Sequence, residues 1–307
     1  MQKERFVIDI SDLNRKNSEN IYKFVDNSEK AYNEQIREIA NQIIAQDKKI
    51  VLVTGPSSAG KTTSSYKIRD ELKRQGKNTF VINMDDFFKD LDTVPLMEDG
   101  EPAMEDIVAL DVDMVNKCLS DIVQNKKTYL PQFDFATHKR KKDFVEYYPK
   151  NYDVIIMEGI HALNPLCYKN IDERKIFKIY VHCNTDFVYN KKIILKARQL
   201  RLLRRLVRDE LTRHTPIEET LSLWEKVCAG EEKNIRPFKQ NADFFLNSTH
   251  FYEPLLYKDV LLEKLEKINK QKYIEIVKII LETFRLLSIV DKAFVPNDSL
   301  VREFIGE

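Results

Sequence analysis

Glycine is scarce in this chain, with seven in 307 residues, well below the usual share of about 7%. A glycine that survives in so sparing a sequence marks a place where backbone geometry demands it. No apolar stretch approaches 18 residues, and the opening MQKERFVIDI carries no apolar leader. A membrane span or secretory signal is therefore not expected, and a cytoplasmic location is. The four cysteines, Cys118, Cys167, Cys183 and Cys228, lie far apart without a C-x-x-C pair, which argues for buried, reduced thiols over a disulfide framework or thiolate metal site. Charge of one sign is also missing: the net charge is +1 although 32% of residues are charged. That balance counts against nucleic-acid binding driven by bulk charge and leaves only a local patch open. Internal repeats and low-complexity tracts are absent too.

Three of the seven glycines fall in two short motifs. The first, Gly55-Pro56-Ser57-Ser58-Ala59-Gly60-Lys61-Thr62-Thr63, follows the apolar run Ile50–Thr54 and precedes a helical stretch. This is a complete G-x-x-x-x-G-K-[ST] phosphate-binding loop in its strand–loop–helix setting. Gly55 and Gly60 let the backbone wrap a phosphate chain, so that the amides of Ser57, Ser58, Ala59 and Gly60 and the positive helix end face it. Lys61 is expected to bridge the β- and γ-phosphates, and the Thr62 hydroxyl to hold Mg²⁺.

The remaining chain reads as α/β. Candidate strands are Ile50–Thr54, Thr79–Asn83, Tyr152–Met157, Ile176–Val181 and Asp243–Leu246. Candidate helices cover Thr62–Gln75, Val112–Gln124, Asp186–Thr212 and Pro216–Asn234. Continuous apolar strands between helices imply a five-stranded, mostly parallel sheet with helices on both faces. Residues 1–48 read as an N-terminal extension: a strand-like Phe6–Ile10, a polar stretch, then a helix around Ala31–Ala45. Residues 49–252 read as the phosphate-loop domain with a helical lid. Residues 253–307 read as a C-terminal helical extension, with helices at Leu255–Ile268 and Tyr273–Ile289 and a tail from Val295. The irregular stretches 90–110 and 126–149 are expected to be loops near the active site.

Phosphoryl transfer needs a cradle, a metal site, a group to orient the nucleophile and cations for the moving phosphoryl group. The second strand ends in Asn83-Met84-Asp85-Asp86-Phe87-Phe88, placing Asp85 where ligands bind in open α/β sheets, as a candidate general base. The third ends in Met157-Glu158-Gly159, with Glu158 at the metal shell. Arg201, Arg204, Arg205 and Arg208 recur at i, i+3, i+4 and i+7 on one helix face, opposite Leu203, Leu206 and Val207. Beside a phosphate loop, that stripe is expected to form a lid over ATP.

Taken together, GPSSAGKTT, NMDDFF, the EGI turn, RRLVRDELTR and Pro131–Arg140 resemble the uridine kinase / phosphoribulokinase family of P-loop kinases. The likeness covers roughly residues 49–250. The family's P-x-Y-D-F-x-x-H-x-R pattern is matched by residues 131–140, except that Phe133 replaces the tyrosine. In uridine–cytidine kinases of this family the tyrosine and histidine face the pyrimidine. The resemblance thus implies that His138 contacts the base, that Phe133 can stack but not hydrogen-bond, and that Phe88 and Arg140 belong to the acceptor site. It also implies Asp85 as base, a Mg²⁺ shell of Thr62, Asp85 and Glu158, and lid arginines Arg208 and Arg213. The segment Met104–Asp111 resembles the one whose first acid binds ribose hydroxyls, leaving Glu105 or Asp106. The tail Val295–Gly306 resembles the end of a bacterial branch of these nucleoside kinases.

The function expected is an ATP:nucleoside 5′-phosphotransferase acting on a uridine- or cytidine-like acceptor, with Mg²⁺ as cofactor and ATP as co-substrate. Lys61, Asp85, Arg208 and Arg213 are the expected catalytic groups. Two rivals stand beside it: a kinase of another hydroxylated metabolite such as a sugar phosphate or pantothenate, and a nucleotide-operated, RNA-associated regulator without turnover. Self-association is left open.

Overall fold

The computed structural model describes residues 5–98 and 100–306. In chain order its elements are β1 Phe6–Asp9, α1 Ile10–Ala45, β2 Ile50–Thr54, α2 Lys61–Arg74, β3 Thr79–Asn83 and α3 Val112–Val123. Four short strands follow, β4 Thr128–Leu130, β5 Phe133–Asp134, β6 Lys139–Arg140 and β7 Val145–Tyr147, and then the core strands β8 Val154–Glu158 and β9 Ile176–His182. The rest comprises β10 Thr185–Tyr189, β11 Lys192–Leu195, α4 Ala197–Thr212, α5 Ile217–Asn234, β12 Phe244–Asn247, α6 Glu253–Leu265, α7 Ile274–Leu286 and α8 Arg302–Ile305.

Five strands form one sheet in the order β12-β9-β2-β8-β3, every pair parallel. All residues of β2 and β8 are buried, because helices cover both faces and each strand must be apolar on both sides. On one face Val51, Val53, Ile156, Phe177 and Ile179 meet Ile36, Ile39 and Ile43 of α1, Ile68 and Leu72 of α2, and Leu300 and Phe304 near the C-terminus. On the other, Ile50, Leu52, Ile155 and Met157 meet Val115, Leu119 and Ile122 of α3. A third core joins α4, α6 and α7 to the start of α1. This is the P-loop NTPase arrangement. Among the described residues no helix is long and apolar enough to cross a membrane.

Two sequence expectations need correction. The polar stretch before Ala31 is helical: α1 begins at Ile10 and is interrupted at Asn20 (φ −164°, ψ 95°). There the Asn20 side chain accepts a 2.9 Å hydrogen bond from the Lys23 amide and restarts the helix. Ile10, Leu13, Phe24 and Val25 supply its buried stripe, a pattern diluted by the polar residues between them. The stretch from Asp186 is also not helical until Ala197. Residues 185–195 form the β10–β11 hairpin, turned through Asn190 (φ 49°) and Lys191 (φ 63°), the left-handed pair that matches strand twist in a two-residue turn. β1 adds to it in parallel.

Candidate functional site

The C-terminal ends of β2, β3 and β8 meet, as the sheet topology requires for a ligand crevice. After β2 the loop passes through Ser58 (φ 58°) and Gly60 (φ 83°) into the first turn of α2. A Cβ on Gly60 would be strained by that φ and would lie 2.7 Å from Leu300 Cδ1. Lys61 curls over the loop, its Nζ 3.4 Å from the Pro56 carbonyl. Thr62 donates its hydroxyl to Glu158 Oε1 at 2.9 Å. After β3, Asn83 caps a short 3₁₀ turn by accepting from the Asp85 amide at 2.9 Å, which fixes where Asp85 leaves the strand. A Cβ on Gly159 would lie 2.5 Å from Met84 Cβ, so glycine there lets the Asp85 turn and the Glu158 strand end close together.

Lys61, Thr62, Asp85, Phe88, Glu105 and Arg208 share one cleft of about 370 Å³, with Arg213 and Glu303 on its wall. Burial raises the pKa of Asp85, and Lys61 opposes the shift. Burial likewise raises Glu105 and Glu158 against the pull of Lys61, and the charge of Asp85 adds to both rises. One ammonium thus serves several desolvated carboxyl groups. Among the described residues no set of three or more His, Cys, Asp or Glu side chains is arranged to hold a metal by itself. The oxygens present, the Thr62 hydroxyl with the Glu158 and Asp85 carboxylates, suit a hard divalent ion that takes its remaining ligands from phosphate and water.

The arginine stripe of α4 differs from the lid expected of it. Arg204 has no exposed surface, and its guanidinium meets Glu253 through bonds of 2.6 and 2.7 Å and reaches the Ser58 carbonyl at 3.3 Å. Arg201 binds the Ser57 carbonyl at 3.0 Å and Glu231 at 2.7 Å. Arg205 donates to Ser57 Oγ at 3.2 Å. These three brace the back of the phosphate loop, because most of α4 is buried and the faces carrying Arg201 and Arg204 are covered by neighbouring elements. Only Arg208 and Arg213 line the cleft, held by Asp209 at 3.0 and 3.6 Å.

Of the two candidate ribose acids, Glu105 faces the cleft. Asp106 turns away to cap the following turn (3.2 Å to the Val108 amide) and to pair with Lys233 at 2.7 Å. Phe133 is not on the cleft wall; it packs edge-on behind Phe88, centroids 5.8 Å apart. Arg140 is likewise withdrawn, clamping the Phe87 and Phe88 carbonyls (3.2 and 3.1 Å) and Asp111 (3.1 Å). His138 departs furthest from its expected base contact. The register Phe133↔Arg140 puts it on the β5–β6 turn, exposed and left-handed at φ 53°. Asp86, beside the proposed base, is spent on the Phe133 amide at 3.2 Å. Glu303, which accepts from the Thr63 hydroxyl at 2.5 Å, escaped sequence reasoning because it lies far beyond any phosphate-loop motif.

Residues 50–251 match the family model described as Phosphoribulokinase / Uridine kinase family. A uridine kinase of Staphylococcus epidermidis is 30% identical over 198 residues, 64% of this chain and 86% of its own. A uridine kinase of Staphylococcus haemolyticus is 29% identical over the same length and coverage. A solved structure described as a possible uridine kinase from Bacillus stearothermophilus superposes with a TM-score of 0.46 at 17% identity, covering 69% of this chain and 97% of that one.

Proposed function

Because the chain belongs to the phosphoribulokinase / uridine kinase family, we propose that it is an ATP-dependent kinase that phosphorylates the 5′-hydroxyl of a uridine- or cytidine-like nucleoside. The observation that carries this reading is that Lys61 and Asp85, from two different strand ends, line one cleft together with Phe88 and Glu105. The loop amides and Lys61 hold the phosphates of ATP. Asp85 orients the acceptor hydroxyl and takes its proton, which its raised pKa favours. Glu105 accepts from the sugar hydroxyls, and Phe88 supplies an apolar wall. Arg208 and Arg213 neutralise charge on the phosphoryl group in flight. Thr62, Glu158 and Asp85 would hold Mg²⁺, which when bound neutralises the β- and γ-phosphate oxygens.

A second reading, a kinase of another small hydroxylated metabolite, is favoured by one observation: the pair expected to face a pyrimidine is withdrawn, Phe133 behind Phe88 and His138 out on a turn. Mass-spectrometric screening of nucleosides, sugar phosphates and pantothenate with ATP separates the two. Nucleoside monophosphate product supports the first reading, and product from only the other acceptors replaces it with the second.

A further inference from the structure

The Arg201–Glu231 ion pair stands between the cleft and a larger cavity of about 910 Å³. Glu231 borders both, whereas Lys61, Thr62 and Asp85 border only the cleft, and Pro56, Tyr180 and His182 only the cavity. Tyr180 and His182 alternate along β9 with Ile179 and Val181, which pack under α1 and α2. Their rings therefore project from the opposite sheet face. Lys196, Arg198 and Arg201 approach from the start of α4, Glu231 and Glu232 from the end of α5, and Arg236 and Lys239 from the segment after it.

The cavity is bordered by six cationic side chains, the five named and Arg5, and by three carboxylates, Asp186, Glu231 and Glu232, a surplus of three positive charges. The carboxylates are already engaged: Asp186 with Arg5 at 2.9 Å, Glu231 with Arg201 at 2.7 Å, and Glu232 with both Arg198 and Arg236. Lys239 instead lies over the rings of Tyr180 and Phe245, 5.2 and 5.6 Å from their centroids. Arg201 is only 4% exposed, and its buried Nη2 has no hydrogen-bond partner. The electrostatics agree with an unbalanced site: burial and then the neighbouring Arg236 and Arg5 lower Lys239. Burial with Lys239, Arg5 and Arg201 lowers His182 to about 3.

We infer that this cavity is a second binding site, separate from the acceptor cleft, for a small phosphate-bearing molecule with at least two negative charges. Guanidinium forks with lysines around them, over an aromatic floor, fit phosphate oxygens better than a single carboxylate. The inference stands apart from the kinase reading.

The test titrates inorganic phosphate, by ³¹P NMR and equilibrium dialysis, onto the full chain saturated with Mg²⁺ and a non-hydrolysable ATP analogue. One further phosphate is expected to bind. Lys239→Gln and, separately, Lys196→Gln (an exposed position whose change spares the fold) should each weaken it about tenfold, the scale of one lost charge-assisted contact, while leaving the analogue's affinity unaltered. Absence of phosphate binding to the saturated protein overturns the inference, as does equal binding by the parent and both variants. If the analogue itself does not bind, the kinase reading falls, and the comparison of parent with Lys variants still decides the cavity.

Discussion

Thr63 in the first turn of α2 donates its hydroxyl to Glu303 of α8 at 2.5 Å, across 240 positions of chain. Two neighbouring contacts hold α8 there. Leu300 sits against Gly60, and the Phe304 ring lies 4.8 Å from the Arg204 guanidinium. A carboxylate at the amino end of α2 is favoured by the helix dipole, but that end is also where a triphosphate must settle. Glu303 and ATP therefore compete for the same positive field.

Glu303→Gln keeps an acceptor for Thr63 and removes the charge. The expected result is a KM for ATP lower by about fivefold, since a unit charge a few ångströms away in a solvated cleft is worth about 1 kcal/mol. Steady-state kinetics with varied ATP checks this, and an unchanged or higher KM rejects the competition.

Asp85→Asn keeps the size of the side chain and loses the base. Turnover should fall about 10²–10⁴-fold while the affinity for a non-hydrolysable ATP analogue is retained. In the parent, kcat/KM should decline on acidification through a pKa above 3.8, the ordinary aspartate value, because burial raises that of Asp85. Wild-type turnover in Asp85→Asn removes this residue from the mechanism.

The carboxyl cluster also costs stability. Glu105 has a folded-state pKa above its ordinary 4.5, so the folded protein binds its proton more tightly than the unfolded chain. Stability from this group is then greatest below pH 4.5 and is lost as pH rises through the raised value. Glu105→Gln should accordingly unfold at higher denaturant than the parent at pH 7, with the gap closing on acidification below 4.5. Urea titrations at several pH values measure it, and a less stable variant at pH 7 contradicts the sign.

Arg204 and Glu253 are both fully buried. Arg204→Ala leaves a desolvated carboxylate without its cation and should cost about 3–5 kcal/mol. Arg204→Met with Glu253→Leu should recover part of that loss in urea unfolding. Equal destabilisation by the single and double changes would show that the ion pair is not what the site needs.

The phosphate loop, the Asp85 turn and the Glu158 strand end were legible because each is a local motif on an apolar strand, where neighbours in sequence decide the conformation. The parallel sheet followed from the unbroken apolar runs of β2 and β8. The β10–β11 hairpin was not legible: Phe187, Val188, Ile193 and Ile194 fit a helical stripe as well as a strand, and only the left-handed Asn190–Lys191 turn decides between them. Arg201 and Arg204 read as part of a lid over ATP because their partners, Glu231 and Glu253, sit on later helices. Glu105 was separated from Asp106 only by which of them the following turn uses as its cap.

Leu300 and Phe304 complete an apolar layer begun by Ile36 and Ile39 and continued by the sheet. Ile36 and Phe304, which share this layer, are separated by most of the intervening domain in sequence. A nascent chain that has emerged only as far as α7 therefore still exposes the underside of Ala59 and α2. Its nucleotide loop can reach its final shape only once the segment carrying Leu300 and Phe304 has been made, and until then that open apolar face is a target for chaperones and for aggregation.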